Sequence, residues 1–325
     1  MSGLRLPAGA ASLPVQYRSE FAAALLSGLS ARPRSIPCKF FYDRYGSVLF
    51  EWICTLPEYY PTRTETALLR DRSGEIARAV GPDATLIEFG AGAPWKAEVV
   101  LDALERPRGY VPIDISGEHL RAMTEQLKRK RPELPVEPVV ADFNKPFSLP
   151  AICEGSRRVG FFPGSTIGNL DRQEAISFLR RAALLLQGGG LLIGVDLVKK
   201  PAILHAAYND SAGVTEAFNK NILARANREL GADFHLDRFG HYAFYNPAEQ
   251  RIEMHLVSLA DQKVSVCGHS FAFAEGEAIH TENSHKYTLD GVRTLAEESG
   301  FRAPSVWCDP DRLFSVHWLE PKAPA

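Results

Sequence analysis

The chain has 325 residues, 45% of them hydrophobic, and a formal net charge of −2. This length and apolar fraction permit a full hydrophobic core, arranged as one large domain or as two smaller ones. The nearly balanced charge gives no electrostatic reason to expect a nucleic acid or another polyanion as a partner.

The first apolar feature in chain order is the stretch 21–29. Glu20 precedes it, where a signal peptide has basic residues, and no apolar run in the chain is long enough to span a membrane. From about 84 to 198, short apolar runs alternate with helical periodicity, a pattern typical of a parallel sheet with crossover helices. The strands are predicted at 84–89, 109–114, 136–141, 158–163 and 190–197.

The pattern changes after Asp196. A helical stretch over about 201–231 is followed by alternating strands around 241–258 and 263–275, which indicates an inserted unit. The tail then returns to the first pattern, with one helix and two strands predicted at 288–299, 305–307 and 314–318. The whole pattern predicts a doubly wound α/β fold that carries a second, α+β unit.

A nucleoside-binding βαβ unit is the most informative local motif. The apolar run 86–89 leads into Gly90 and Gly92, and the next apolar run ends at Asp114. Glycines let the backbone approach a ligand at the mouth of a strand, and an acid after the second strand accepts hydrogen bonds from ribose hydroxyls. A dinucleotide fingerprint needs Gly or Ala at its third position, but this chain has Trp95 there. The motif therefore favours a nucleoside cofactor without a pyrophosphate, such as S-adenosylmethionine (SAM).

Further cofactor-binding candidates lie around this unit. Glu88 stands just before the glycines, where it is placed to accept the ammonium group of SAM. Lys96, in the first turn of the next helix, opposes the helix dipole, so we expect either a ligand carboxylate beside it or a solvent-facing side chain. Ligands of doubly wound sheets lie past the strand ends, which selects Asp142 for the adenine amino group and Phe143 for its ring. The alternatives are a turn cap for Asp142 and a core position for Phe143.

The cysteines and histidines give no indication of a metal cofactor. Five scattered cysteines show no C-x-x-C spacing, which indicates reduced thiols in a cytoplasmic protein. The nine histidines show no spacing of the H-E-x-x-H kind, so we expect no metal site. The one basic run, 128–131, ends a predicted helix, where cations complement the dipole. We expect a cytoplasmic monomer without nucleic-acid or membrane partners.

Several segments combine polar side chains with aromatic ones. They read K-F-F-Y-D at 39–43, L-P-E-Y-Y-P-T-R-T-E at 56–65, F-P-G-S-T-I-G-N at 162–169 and I-H-T-E-N-S-H-K-Y at 279–287. Taken together, they resemble the histidine-specific Nα-methyltransferases of ergothioneine biosynthesis. The resemblance extends through 195–199, 206–210, 218–221 and 251–254, and covers the chain from about 34 to 300. Such a spread over separate segments is far more specific than the glycine loop.

The resemblance implies a class I SAM-dependent methyltransferase, a Rossmann-like doubly wound sheet with a second α+β substrate-binding domain. We expect the methyltransferase domain to comprise 63–198 plus 287–325. The substrate-binding domain would comprise 1–62 plus 199–286.

The reaction that the resemblance implies is transfer of three methyl groups from SAM to the α-amine of L-histidine, which gives hercynine without a metal. Asn169 and Tyr208 match the residues that hold the substrate carboxylate, and Glu282 and Ser284 match those that hold the imidazole. Tyr42 matches a tyrosine near the amine and would relay its proton, directly or through water. Further substrate contacts are expected from Tyr59, Gly164, Phe218, Met254 and Asn283.

The glycine loop departs from the family pattern G-S-G-x-S/T-x-K-T-R, because residues 90–98 read G-A-G-A-P-W-K-A-E. Two hydroxyls and one arginine are missing, which predicts weaker cofactor binding. Three alternatives stay open: an Nα-methyltransferase for another amino acid such as tryptophan, an NAD(P)-dependent oxidoreductase, and a non-catalytic ligand-binding homologue. Glu282 and Ser284 argue against tryptophan, because an indole is larger and has one N–H, and Trp95 argues against the oxidoreductase.

Overall fold

The computed structural model describes residues 15–92 and 94–323. The helices are α1 (Val15–Ser30), α2 (Arg44–Thr55), α3 (Tyr60–Asp71), α4 (Ser73–Val80), α5 (Pro94–Ala103), α6 (Gly117–Lys130), α7 (Arg172–Leu185), α8 (Pro201–Tyr208), α9 (Val214–Leu230) and α10 (Leu289–Glu298). The strands are β1 (Arg34–Ser35), β2 (Ala84–Phe89), β3 (Gly109–Asp114), β4 (Val139–Val140), β5 (Arg157–Phe162), β6 (Gly190–Asp196), β7 (Phe239–Asn246), β8 (Arg251–Ser258), β9 (Gln262–Val266), β10 (His269–Phe273), β11 (Ala278–His285), β12 (Phe301–Cys308) and β13 (Phe314–Pro321).

A seven-stranded sheet with the order β12-β13-β6-β5-β2-β3-β4 forms the larger layer. Strands β2 to β6 are parallel, whereas β13 pairs antiparallel with both β6 and β12. The chain order reverses between β2 and β5, and ligands of such sheets bind at the carboxyl ends of the strands beside this reversal. This sheet confirms the predicted doubly wound α/β fold.

Four strands predicted for this sheet lie within one residue of their expected bounds. β12 starts four residues before the predicted 305–307, and β13 ends three residues after the predicted 314–318. The run predicted at 136–141 pairs with β3 only over Val139–Val140, apart from a single bridge between Val136 and Tyr110. Proline at positions 135 and 138 explains the break, because proline has no N–H to donate to a strand neighbour.

The inserted segment contains more elements than its sequence pattern suggests. The helical stretch 201–231 is two helices, α8 and α9, separated by a turn in which the Asp210 carboxylate accepts from the N–H groups of Val214 and Thr215 at 2.8 Å each. These bonds satisfy N–H groups that the first turn of α9 leaves without helical partners. Strands β7 and β8 lie in the region predicted around 241–258, β9 and β10 lie in that around 263–275, and β11 is an additional strand.

A second, four-stranded sheet has the order β1-β11-β8-β7. Strands β7, β8 and β11 are antiparallel neighbours, and β11 has a register shift between His280 and Glu282. Such a bulge re-aims the side chains that follow it. The inner face of this sheet packs against α9, α1 and the turn before α2, and its outer face is half-exposed.

The buried apolar side chains fall into separate clusters. One draws its members from 21–60 and from 204–279, around the four-stranded sheet. Two others draw their members from 68–319, on the two faces of the seven-stranded sheet. Among the described residues, no helix carries an apolar stretch long enough to cross a membrane.

Candidate active site

A cavity of about 150 Å³ lies at the carboxyl ends of β2, β3, β4 and β5. The chain leaves the parallel sheet there through loops, which is where the fold places ligands. All six residues predicted to bind the cofactor line this cavity: Gly90, Gly92, Lys96, Asp114, Asp142 and Phe143. The segments around Tyr42 and Tyr59 close its other side.

The backbone at Gly90 explains why the glycine loop can border a ligand. Gly90 has φ +75°, a left-handed conformation that favours glycine, and its N–H donates to the Ile113 carbonyl at 2.9 Å. A Cβ placed at Gly92 would meet open space. At the end of β3, the Asp114 carboxylate accepts from the Ser116 N–H at 2.7 Å, and burial raises its pKa.

Lys96 already has a carboxylate partner in the protein. Its Nζ lies 2.6 Å from Glu65 Oε2, and both side chains are almost fully buried. The Glu65 carboxylate also accepts from the Gly164 N–H at 2.9 Å, so it ties α5 to the loop after β5. The ion pair supplies the compensation that a lysine in the first turn of α5 needs, although Lys96 still borders the cavity.

The sequence reasoning missed Glu65. Glu65 lies among the buried side chains Thr62, Thr66 and Leu69 of α3. A buried acid needs a partner, so this position is the signal that would have identified it.

Glu88 does not have the position that the sequence reasoning expected. Its side chain is fully buried inside the sheet, accepts a hydrogen bond from the Tyr110 hydroxyl, and is absent from the cavity wall. Burial raises the pKa of Glu88 to about 8. The expected contact of Glu88 with an ammonium group is therefore wrong, because the side chain projects into the core and not past the strand end.

Asp142 and Phe143 make the contacts of the alternative interpretations, a turn cap and a core position. Asp142 caps its turn by accepting from the Asn144 N–H at 3.0 Å, and it also lies 3.0 Å from Lys39 Nζ. Phe143 packs edge-on against Phe162, with ring centroids 5.4 Å apart. Each side chain nevertheless borders the cavity.

A second cavity adjoins the first on the side of the four-stranded sheet. Its wall includes seven of the predicted catalytic and substrate-binding residues: Tyr42, Tyr59, Gly164, Asn169, Tyr208, Glu282 and Ser284. Tyr42, Tyr59, Gly164 and Asn169 are among the residues that line both cavities, so the two spaces adjoin there. A ligand in one cavity therefore lies beside a ligand in the other.

A hydrogen-bonded lysine forms the polar end of this second cavity. Lys286 Nζ donates to Ser284 Oγ at 2.7 Å and to the Tyr208 hydroxyl at 3.3 Å, while Tyr208 itself donates to Ser284 at 2.7 Å. The carboxylate of Asp196, at the end of β6, lies 2.8 Å from Lys286 Nζ. Burial alone would lower the pKa of Lys286, but Asp196 and Tyr208 together outweigh burial and raise it, so the ammonium stays charged.

Asp196 also holds the surrounding segments together. Its carboxylate is fully buried, pairs with Lys199, and accepts from the Tyr60 hydroxyl at 2.7 Å. Burial opposes its ionisation, but the two lysines hold its pKa below the ordinary value. The sequence reasoning noted Asp196 only as the point after which the pattern changes, and it missed the role of Lys286.

Glu282 lines the second cavity together with Asp196, but within the described part of the chain it has no cationic side chain in contact with it. Its side chain is 8% exposed, and burial raises its pKa to about 7 although Lys286 opposes this effect. Among the described residues, no group donates a hydrogen bond to its carboxylate. It is therefore free to accept hydrogen bonds from a ligand.

Three predicted substrate contacts lie outside the cavity walls. Asn283 points to the opposite face of β11, where its Oδ1 lies 2.9 Å from His280 Nε2. Phe218 packs behind Tyr42, with ring centroids 5.6 Å apart, and Met254 is buried in the core across from Glu282. Strand alternation explains Asn283, because neighbours in a strand face opposite sides.

Comparison with known proteins gives consistent matches over almost the whole chain. A family described as SAM-dependent histidine-specific methyltransferases matches residues 21–321. The histidine N-alpha-methyltransferase of Mycolicibacterium smegmatis is 44% identical over 296 residues, which cover 89% of this chain and 91% of that protein. Its counterpart from Mycobacterium tuberculosis is 43% identical over 290 residues, with 87% and 89% covered. Ergothioneine biosynthesis protein 1 of Neurospora crassa is 27% identical and covers 85% of this chain and 32% of that protein.

Proposed function

Since the chain belongs to the family of SAM-dependent histidine-specific methyltransferases, we propose that it trimethylates the α-amine of L-histidine to hercynine, the first step of ergothioneine biosynthesis. The observation that carries the proposal is the meeting of two cavities along Tyr42, Tyr59, Gly164 and Asn169. One cavity has the features of a nucleoside site. The other has the acid and hydroxyl groups that an amino acid with an imidazole side chain would need.

The first cavity suits S-adenosylmethionine, which supplies an electrophilic methyl group on a sulfonium. Asp114, at the end of β3, would accept the ribose hydroxyls, and Asp142 with Phe143 would hold the adenine. The open space beside Gly92 leaves room for the ligand close to the backbone. Because the sulfonium is itself the electrophile, methyl transfer needs no metal ion.

The second cavity suits L-histidine. The Glu282 carboxylate would accept an imidazole N–H and Ser284 would contact the same ring, while Asn169 and Tyr208 would hold the substrate carboxylate. A buried acid of this kind rejects side chains that leave it unpaired, including apolar ones of similar size. An indole is larger than an imidazole and has a single N–H, so these residues favour histidine over tryptophan.

Alignment is the main contribution that the protein makes to catalysis. The amine must lose a proton before it attacks the methyl group, because only the free nitrogen lone pair can displace the sulfonium. Burial raises the pKa of Tyr42, so its phenol stays neutral and acts as a hydrogen-bonding relay to solvent. Reacting groups that are held in the right alignment, as the amine and the methyl group would be here, reach effective molarities of about 10⁵–10⁸ M.

The methylated product is a permanent cation. The aromatic rings of Tyr42 and Tyr59 line the junction of the two cavities, where the amine would sit. Cation–π contacts of this kind contribute roughly 0.5–2 kcal/mol each. These rings would therefore help the third transfer, in which a neutral dimethylamine becomes a quaternary ammonium.

We further propose that the chain has two domains. Residues 63–198 plus 287–325 would bind SAM, and residues 1–62 plus 199–286 would bind histidine. Their described parts agree with the separate apolar clusters, since members from 21–60 pack with members from 204–279. Residues 1–14 lie outside the described part of the chain.

A direct assay tests the reaction. Purified protein incubated with SAM and L-histidine should accumulate a product three methyl groups heavier than histidine, detected by mass spectrometry. L-tryptophan in place of histidine is the substrate control and should give no methylated product. Failure to methylate histidine with excess SAM would contradict the proposal.

Binding measurements test the assignment of the histidine site. Replacing Glu282 by alanine should weaken L-histidine binding by roughly tenfold to a hundredfold, because hydrogen bonds to charged groups contribute about 1.5–3 kcal/mol. Calorimetry should show this weaker binding of L-histidine, while the affinity for S-adenosylhomocysteine should show no comparable loss. Asn283→Ala is a matched control on the opposite face of β11 and should leave both affinities unchanged. Equal losses in the two variants would refute the assignment.

A further inference from the structure

A cluster of metal-ligand side chains lies on the outer face of the four-stranded sheet, away from both cavities. Glu253 and His255 are two residues apart on β8, so they project from the same face. His280 of β11 is directly opposite His255 in the antiparallel register. The bulge that follows His280 lets β11 present Glu282 to the second cavity and His280 to this cluster.

The distances within the cluster are close to those of a tetrahedral metal site. His255 Nε2 lies 3.2 Å from Glu253 Oε2, and one ligand atom from each of the three residues lies within 4.8 Å of the others. Metal–ligand bonds of about 2.0–2.2 Å in a tetrahedron place ligand atoms roughly 3.3 Å apart. The Glu253–His255 pair already has this spacing, and the ligand atom of His280 that defines the cluster would need to move closer by about 1.5 Å at most.

Neighbouring groups orient the three ligands. Arg251 Nε and Asn246 Nδ2 donate to Glu253 Oε1 at 2.9 and 3.0 Å, which leaves the other carboxylate oxygen for the cluster. His280 Nε2 lies 3.0 Å from the Glu282 carbonyl, which can only accept, so the hydrogen is on Nε2 and the lone pair on Nδ1. Such outer hydrogen bonds to ligand carboxylates and histidines are typical of metal sites.

We propose that Glu253, His255 and His280 bind a divalent transition-metal ion of the zinc class, with a remaining position open to water. Two imidazoles and one carboxylate are a ligand set that suits Zn²⁺ and not Mg²⁺ or Ca²⁺, which prefer oxygen ligands. The ion cross-links β8 to β11 on the face opposite Glu282 and Ser284. This site goes beyond the proposed methyl transfer, which uses only the inner face of β11.

Zinc titration against a chromophoric chelator tests the proposal on the full chain. The wild-type protein should bind one equivalent of Zn²⁺ tightly, and His255→Ala and His280→Ala should each weaken this binding at least tenfold. His269→Ala on β10 is the matched control, since His269 is exposed and outside the cluster, and it should bind like the wild type. Absence of a stoichiometric site in the wild type, or an equal loss in His269→Ala, would overturn the proposal.

Two further measurements test which side chains hold the ion. The Co²⁺-substituted protein should show ligand-field bands without thiolate-to-cobalt charge transfer; a thiolate band would assign the ion to a cysteine and overturn the proposal. Glu253→Gln keeps the side-chain volume and should retain the wild-type circular dichroism spectrum while losing zinc affinity. Unchanged zinc affinity in a folded Glu253→Gln variant would equally overturn the site.

Discussion

Buried charges on single residues set the chemistry of the substrate cavity. Lys286 is fully buried, yet it keeps its charge because the Asp196 carboxylate lies 2.8 Å away. Its remaining hydrogens go to Ser284 and Tyr208, the two hydroxyls proposed to contact histidine. Lys286 is therefore a positioning residue, because it acts on the substrate through these hydroxyls.

Replacing Lys286 by methionine should disorder both hydroxyls. We expect the KM for L-histidine to rise roughly tenfold to a hundredfold, because hydrogen bonds from a charged donor contribute about 1.5–3 kcal/mol. Affinity for S-adenosylhomocysteine should stay unchanged. Lys199→Met is the control, since Lys199 also pairs with Asp196 but does not line the second cavity. A larger effect from Lys199→Met than from Lys286→Met would contradict the assignment.

The buried acid Glu282 should make the stability of the protein depend on pH. Its pKa rises from an ordinary 4.5 to about 7 on folding, so the native state holds a proton that the unfolded chain releases. The resulting stabilisation is fully present below pH 4.5, is lost as the pH rises, and is gone above about pH 7. The difference corresponds to about 3 kcal/mol.

Urea unfolding of the wild type and of Glu282→Gln between pH 4.5 and 8 would measure this effect. The other titrating groups are the same in both proteins, so their contributions cancel in the difference between the two free energies of unfolding. The wild type should lose free energy of unfolding relative to the variant as the pH rises to about 7, with no further relative change above it. A pH-independent difference between the two proteins would show that Glu282 titrates normally.

At the level of elements, a short 3₁₀ turn joins the two sheets. The turn Thr166–Asn169 follows β5, carries Asn169, and packs directly against the end of β11. A Cβ on Gly168 would lie 2.8 Å from the His285 carbonyl oxygen and 3.2 Å from its nitrogen. Glycine at this position therefore lets Asn169 and Glu282 face the same cavity.

Gly168→Ala should push the turn away from β11, because a backbone carbonyl cannot give way as a flexible side chain can. We expect a higher KM for L-histidine, with S-adenosylhomocysteine affinity preserved and the fold intact by circular dichroism. Gly74→Ala in α4 is the control, since its added Cβ would meet only an arginine side chain at 3.9 Å. Wild-type kinetics in Gly168→Ala would show that the close packing does not matter.

At the scale of the whole molecule, Asp196 connects the two sheets. It ends β6 of the larger sheet, pairs with Lys286 just after β11 of the smaller one, and accepts from Tyr60 at the start of α3. Lys199, on the segment that leaves the larger sheet, completes the network. A single buried carboxylate thus pairs with two lysine ammonium groups.

Asp196→Ala should destabilise the protein by about 3–5 kcal/mol, because removing one partner leaves buried charges without compensation. Urea unfolding would measure the loss as a lower transition midpoint. Asp237→Ala is the control, since Asp237 is exposed, and it should fall within about 0.5 kcal/mol of the wild type. Comparable midpoints for the two variants would mean that Asp196 is not a structural anchor.

Local sequence patterns were sufficient to predict the parallel sheet and the residues that line the cavity at its edge. Gly90, Asp114 and Asp142 follow strand ends, and the strand ends of a parallel sheet meet at one edge whatever the details of packing. Family resemblance added Glu282 and Ser284, which line the second cavity. Their roles in binding stay predictions until the variants are measured.

The sequence by itself therefore determined the fold class, the family and the strand-end residues, because each depends on local periodicity or on matched segments. Only the tertiary structure revealed the partners of buried charges: Glu65 beside Lys96, Lys286 beside Asp196, and the cluster that His280 completes. These contacts join residues far apart in the chain. Strand pairing and helix packing bring these residues together, and the spacing of residues along the chain does not show which distant side chains will meet.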